Sequence, residues 1–253
     1  MRPAPPAGLS AMDTRIDEVA DLIYRFSTFV PEVGPTGFTF NQYLIVDDDP
    51  LLFHTGPRAL FPHLVDAINS VTPVQGLRWI TFGHVESDEC GAMNQFLAAA
   101  PESQVAHGAL GCMVSLDDLA DRPPVPWADG QVIEIGRHSI RHIDTPHVPH
   151  GWESRVLFEE TTRTLFCGDL FTHLGDGPAL ASHDIVDAAL VAEDVFGATC
   201  LTPSTGPTIR ALADLAPTSL AVMHGTCFTG DAGAALTTLA DAFDDRLQAA
   251  TRD

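Results

Sequence analysis

Positive charge is scarce in this 253-residue sequence: 13 Lys and Arg stand against 34 Asp and Glu, a net charge of −21. Phosphate backbones and anionic membrane surfaces are repelled on average, so neither nucleic acid nor membrane is an expected partner. No apolar run approaches the roughly 18 residues that a membrane-spanning helix needs. The opening Met1 to Gly8 is rich in Pro and Ala and has no apolar h-region, so it does not read as a secretion signal. Residues 1–12 are expected as a disordered lead-in, residues 13–253 as a single domain, and the location as cytoplasmic. The five cysteines (Cys90, Cys112, Cys167, Cys200 and Cys227) are odd in number, scattered and without a C-x-x-C pair. That argues against a disulfide framework, a zinc ribbon or a rubredoxin-type iron site, and for free thiols in a reducing compartment. No internal repeat and no long linker divides the chain.

What is present is a mixture of strand and helix patterns. Ile16, Val19, Ala20, Ile23 and Phe26 give Asp13 to Phe29 a helical apolar spacing, with partly extended structure as the alternative. Asn41 to Val46 and Leu51 to His54 read as a hairpin around Asp47-Asp48-Asp49-Pro50. Pro57 to Ile68 suits a helix, Leu77 to Phe82 a buried strand, and Gly91 to Ala100 a helix. The Pro-rich Asp121 to Trp127 looks like a surface loop. Gln131 to Ile135 pairs with Ser139 to Asp144, and Arg155 to Glu160 with Thr164 to Cys167, as expected hairpins. Ser182 to Phe196, Gly206 to Leu215 and Asp231 to Ala249 suit helices, and Leu220 to Met223 a strand. Hairpins separated by helices predict packed sheets covered by helices, an α/β layer architecture.

The stretch Ile80-Thr81-Phe82-Gly83-His84-Val85-Glu86-Ser87-Asp88-Glu89-Cys90-Gly91 ends an apolar strand and then offers several metal-ligand types in succession. Alternate residues His84, Glu86 and Asp88 converge if the loop stays extended. Imidazole and carboxylate suit borderline and hard divalent metals. The same grammar recurs in Leu165-Phe166-Cys167-Gly168-Asp169 and in Leu220-Ala221-Val222-Met223-His224-Gly225. A fourth segment, Asp144-Thr145-Pro146-His147-Val148-Pro149-His150-Gly151-Trp152, sets two histidines between prolines in a stiff loop. Donors at strand ends are held by the sheet, which preorganises a site.

These four segments, in this order, resemble the metallo-β-lactamase superfamily, whose usual first motif is H-x-H-x-D-H. Glu86 in place of the second His gives H-x-E-x-D, which is similar to the diiron domain of flavodiiron proteins. Phe40-Asn41-Gln42-Tyr43-Leu44-Ile45 resembles the early strand of that group. The resemblance runs from about residue 35 to 230. It implies an αββα sandwich, two mixed sheets flanked by helices, and two metal ions. His84, Glu86 and His150 would bind one metal, Asp88 and His224 the other, and Asp169 would bridge them; two ions about 3.5 Å apart need such an anionic bridge. His150 is preferred to His147 because it stands four residues before Ser154 and 19 before Asp169, the family's spacing. His147 is then a pocket residue or a support for a ligand.

Two departures from the family pattern stand out. Glu89 occupies the place of the motif's final His, where it could bind the second metal, hydrogen-bond a ligand or point away. His54 stands before Thr55-Gly56 where the family has Asp, and is read as structural. The carboxylate Glu86 makes the first site oxygen-rich, which favours iron, with zinc or manganese as alternatives. The resemblance implies binding, reduction or sensing of dioxygen or nitric oxide. His147 and Glu89 are the candidate proton donors. No flavin is expected on this chain, and the electrons would come from a separate donor. The alternative is a zinc-dependent hydrolase of an ester, thioester, lactone or phosphoester, with Asp88 as general base on a metal-bound water. A non-catalytic descendant of the fold is the third reading, and a homo-oligomer stays open.

Overall fold

The computed structural model describes residues 13–252; the expected lead-in, residues 1–12, lies outside them. The first finding is a correction. Asp13 to Phe29 is not a helix but a hairpin, β1 (Thr14–Ala20) and β2 (Ile23–Val30), turning at Asp21-Leu22 with Leu22 at φ 53°. Ile16, Val19, Ala20, Ile23 and Phe26 satisfy a helical stripe. The segment Ile-Tyr-Arg-Phe-Ser-Thr-Phe-Val is nevertheless rich in β-branched and aromatic residues, which fit a pleated surface better.

The hairpin continues into β3 (Phe38–Ile45), β4 (Leu51–Phe53), β5 (Trp79–Thr81), β6 (Gln104–Gly108) and β7 (Val125–Trp127), forming a seven-stranded sheet in sequence order. Its first four strands are antiparallel and the rest parallel. The second sheet contains β8 (Val132–Glu134), β9 (Ser139–Asp144), β10 (Arg155–Glu159), β11 (Thr164–Phe166), β12 (Leu180–Ala181), β13 (Ser219–Ala221) and β14 (Cys227–Thr229). Its order is β12-β14-β13-β11-β10-β9-β8. The Asp121 to Trp127 stretch is thus only partly a loop. Its last three residues form the edge strand β7, where Pro126 is tolerated, and Trp127 is buried against Trp79 with ring centroids 5.3 Å apart.

Three apolar layers follow from this order. Tyr43, Phe53, Leu157 and Phe166 fill the space between the sheets. Leu64 and Ile68 of the helix Phe61–Val71, with Phe96 and Leu97 of the helix Met93–Ala99, cover the first sheet. The helices Val186–Phe196, Thr205–Ala213 and Ala232–Ala250 cover the second, and the last buries Leu236, Leu239, Ala240 and Phe243 at helical spacing. The result is the two-sheet, helix-flanked sandwich that the motifs implied. Among the described residues no helix is long and apolar enough to cross a membrane.

The Asp47 turn closes the end of the sandwich away from the metal-type residues. The Asp47 carboxylate accepts hydrogen bonds from the His138 backbone N–H (2.8 Å), the His138 ring Nδ1 (2.7 Å) and the Asp48 N–H (2.9 Å), tying the first sheet to the second. Burial opposes ionisation there, but hydrogen bonds from the Arg137 backbone, the His138 side chain and backbone and the Asp48 backbone outweigh it. They hold the carboxyl at about 2 instead of 3.8. The folded value lies below the unfolded one, so this stabilisation is present above about pH 4 and is lost as pH falls towards 2. Asp47→Asn is expected to cost about 2 kcal/mol at pH 7, measured by urea unfolding. The variant's stability should also fall less steeply than the wild type's between pH 4 and 2. Equal pH profiles would refute the assignment.

Candidate metal centre

Three of the predicted donors sit at equivalent places. His84, Asp169 and His224 each stand three residues past the end of a strand, β5, β11 and β13 respectively. The loops are stitched together by backbone hydrogen bonds: Arg155 N to Gly83 O, Met223 N to Gly168 O and Asn41 N to Met223 O, at 2.9–3.0 Å. The Asn41 and Tyr43 positions of the early strand have a local purpose. Asn41 Nδ2 donates to Val222 O and Gly225 O, both at 2.9 Å, and the Tyr43 hydroxyl donates to Val222 O at 2.6 Å, so β3 holds the His224 loop.

The first loop is extended only as far as Glu86, whose φ is −133° and ψ 157°. Ser87–Cys90 then form one helical turn, so the expected extension through Asp88 does not occur. Successive side chains on a helical turn diverge by about 100°, and Asp88 and Glu89 therefore leave in different directions. Asp88 Oδ2 reaches 3.3 Å from His224 Nε2. Glu89 turns inward, fully buried. It accepts the His84 backbone N–H at 2.6 Å and lies 3.2 Å from His84 Nδ1 and 3.4 Å from His54 Nε2. Of the three roles open to Glu89, the geometry places it behind His84.

His84, Glu86, His150 and Asp169 each present a donor atom within 4.8 Å of the others. His84 Nε2 lies 2.8 Å from Glu86 Oε2 and 3.8 Å from Asp169 Oδ2; His150 Nε2 lies 3.3 Å and 3.5 Å from the same two oxygens. The other Asp169 oxygen, Oδ1, faces His224 Nε2 at 3.3 Å. Asp169 therefore spans two donor groups, one oxygen to each. In a coordination shell with bonds of about 2.1 Å, neighbouring donors stand about 3.0–3.4 Å apart. Two of these five separations, both 3.3 Å, fall in that range and the 3.5 Å one lies just beyond it, so the residues fit the spacing of a metal pair, while His84 Nε2 and Glu86 Oε2 at 2.8 Å stand at direct hydrogen-bond distance.

The imidazoles are aimed by what lies behind them. His224 Nδ1 donates to Thr39 O at 2.8 Å, and its ring stacks on Phe38 with centroids 4.1 Å apart, leaving Nε2 free. Glu89 does the same for His84 through Nδ1. Such backing fixes the tautomer and raises donor basicity. The electrostatics point the same way. Burial disfavours a cation at His84, but the charge of Glu89, hydrogen bonds to Glu86 and Glu89 and the charge of Asp169 push the ring up to about 12. At His224 burial is likewise outweighed by Asp169 and Asp88, and the value is about 10. The hydrogen bonds of His150 and His84 hold Glu86 well below the usual carboxylate range. The cluster thus draws positive charge into a partly buried place.

The other predicted residues lie elsewhere. His147 has φ 65°, its side chain is exposed, and it does not line the cavity over the centre; its expected pocket role is not what the structure places there. The ring of His54 is buried against Glu89, a structural position. Cys167 and Cys227 are buried, Cys90 half-buried, and all three are free thiols. The cavity itself was not legible in the motifs. It has a volume of about 470 Å³, and much of its wall is the helix Val186–Phe196, a segment with no donor signature.

Comparison with known proteins places this geometry. The family model described as ODP family beta lactamase matches residues 38–197, more than half of the chain. Rubredoxin-oxygen oxidoreductase of Megalodesulfovibrio gigas is 25% identical over 141 residues, 55% of this chain and 35% of that protein. Nitric oxide reductase of Moorella thermoacetica is 24% identical over 191 residues, 74% of this chain and 47% of that protein. The chain thus spans less than half the length of these curated relatives. Among solved structures, a flavoprotein of Thermotoga maritima superposes with TM-score 0.79 at 17% identity, covering 92% of this chain and 62% of that one. A fragment of a diflavin flavoprotein from Nostoc gives TM-score 0.78 at 14% identity, covering 95% and 97%. These are likenesses of fold. The family match over residues 38–197 carries the assignment: the chain belongs to the ODP family beta lactamases, with the metallo-β-lactamase fold of flavodiiron cores.

Proposed function

We propose that this chain holds two iron ions and uses them to bind and reduce dioxygen or nitric oxide. The observation that carries the reading is Asp169, whose two oxygens face different imidazole groups, His84 and His150 on one side and His224 on the other. His84, Glu86 and His150 would hold the first ion, Asp88 and His224 the second, with Asp169 shared. The names of the relatives, an oxygen oxidoreductase and a nitric oxide reductase, support the same class of reaction. Iron is favoured over zinc because three of the six donors are carboxylates, and added oxygen ligation shifts preference that way.

Bound iron would supply one electron from each ion to the diatomic molecule. The protein's part is positional. Glu89 and Thr39 fix the rings of His84 and His224, so the donors need little rearrangement on loading. Among the described residues His150 Nδ1 has no hydrogen-bond partner, which makes that ring the least constrained of the three. Neither His147 nor Glu89 opens on the cavity, so protons reach the centre from solvent through the cavity mouth. Electrons come from a separate donor.

Anaerobic loading with ferrous iron tests the reading. The expected result is about two irons per chain by mass spectrometry. An optical change should follow on adding nitric oxide or dioxygen. Preferential uptake of zinc, with no optical response from the iron form, would replace it with the hydrolase reading.

A further inference from the structure

The cavity over the centre is much larger than a diatomic gas requires. Its volume is about 470 Å³, whereas a molecule the size of water takes on the order of 30 Å³. Pockets of roughly 300–1,000 Å³ are those that enclose organic ligands. Its chemistry is segregated. The metal-type donors form the floor, and Phe38, Leu170, Phe171, Phe196, Leu239 and Phe243 form the walls. The small residues Ala189 and Ala192 hollow out the face of the helix Val186–Phe196 that looks onto it.

The polar groups on the walls are few: Glu193 and Thr199 bond each other, and Thr172 Oγ1 has no hydrogen-bond partner among the described residues. Glu193 accepts hydrogen bonds from the backbone N–H and hydroxyl of Thr199, at 3.1 Å and 2.8 Å. Among the described residues no Arg lines the cavity. A sugar, nucleotide or phosphate ester would leave most of its polar groups without partners on these walls, which disfavours its burial there.

Resting on the reading of the floor as a metal centre, we infer that this cavity binds a small amphipathic organic molecule. Its apolar body, a medium-length alkyl or arylalkyl group, lies along the phenylalanine and leucine wall. A single oxygen-donor headgroup meets the metals.

The test is calorimetric binding of a hydroxamate series, from acetohydroxamate to octanohydroxamate, to the metal-loaded chain. The headgroup is constant, so chain length isolates the wall. Affinity is expected to rise by about fourfold per methylene over the first several carbons, the increment for burying a CH₂. Ala192→Phe, which fills the cavity, should flatten this gradient. Phe196→Ala, which trims an exposed part of the wall without disturbing the core, should reduce it and serves if the first variant does not fold. If acetohydroxamate binds and added length gains nothing, the cavity inference is overturned while the metal centre stands. If the gradient persists in both variants, its location is wrong. If no hydroxamate binds and no metal is retained, the metal-centre reading fails and this inference falls with it.

Discussion

Asp169→Ala is expected to lower the metal content from about two ions per chain to a small fraction of one, because on the proposed assignment the shared donor would be removed from both positions. The first position would keep His84, Glu86 and His150, and the second only Asp88 and His224. The loss should be larger than for Asp88→Ala, which touches the second position alone. Folding should survive, since Asp169 is partly exposed, lies past the end of β11 and belongs to none of the apolar layers. Asp169→Asn is the sharper variant. The amide keeps the shape but offers one oxygen in place of two, so about one ion per chain is expected. Metal analysis with circular dichroism on the same samples decides the matter. Native metal content in Asp169→Ala, with the fold intact, would mean that the centre is not built as described.

Much of this architecture was legible in the sequence, and the unread parts have physical reasons. The hairpin around Asp47, the pairing of Arg155 to Glu160 with Thr164 to Cys167, and the strands leading to His84, Asp169 and His224 came from local patterns that the sheet then satisfied. The first hairpin did not, because the apolar positions from Ile16 to Phe26 also suit a helical face; the β-branched and aromatic content of β2 and its pairing with β3 select extension. β6 and β14 are short and lack a distinctive period, so they emerge only from the sheet order. At the centre, residue types and spacing named the donors. They could not give the direction of Glu89, which depends on a single helical turn beginning at Ser87. The cavity walls were beyond reach for another reason. Phe38, Phe171 and Phe243 are far apart in the chain, and nothing local marks them as neighbours.

The family places a histidine where this chain has Glu89, and the geometry suggests what the exchange does. A helical turn faces this side chain towards the interior, and a carboxylate can accept there from the His84 backbone N–H while backing the imidazoles of His84 and His54. Burial alone would raise its pKa, yet the charges of His54 and His84 and their hydrogen bonds hold it well below the usual range. Glu89→Leu therefore leaves a buried N–H and two imidazoles without their acceptor. Breaking such an arrangement costs about 3–5 kcal/mol, so the variant should be markedly easier to unfold in urea. Glu89→Gln keeps one acceptor oxygen and the volume, and should lose less. Its metal affinity is expected to fall by about 10- to 100-fold, the usual effect of weakening the group behind a ligating histidine. The ratio of the two ions matters as much as the total. On the proposed assignment His84 would hold the first ion, so competition with a chelator should strip that ion first from Glu89→Gln. Preferential loss of the ion held by Asp88 and His224 would instead mean that Glu89 serves the second position, contrary to where it lies.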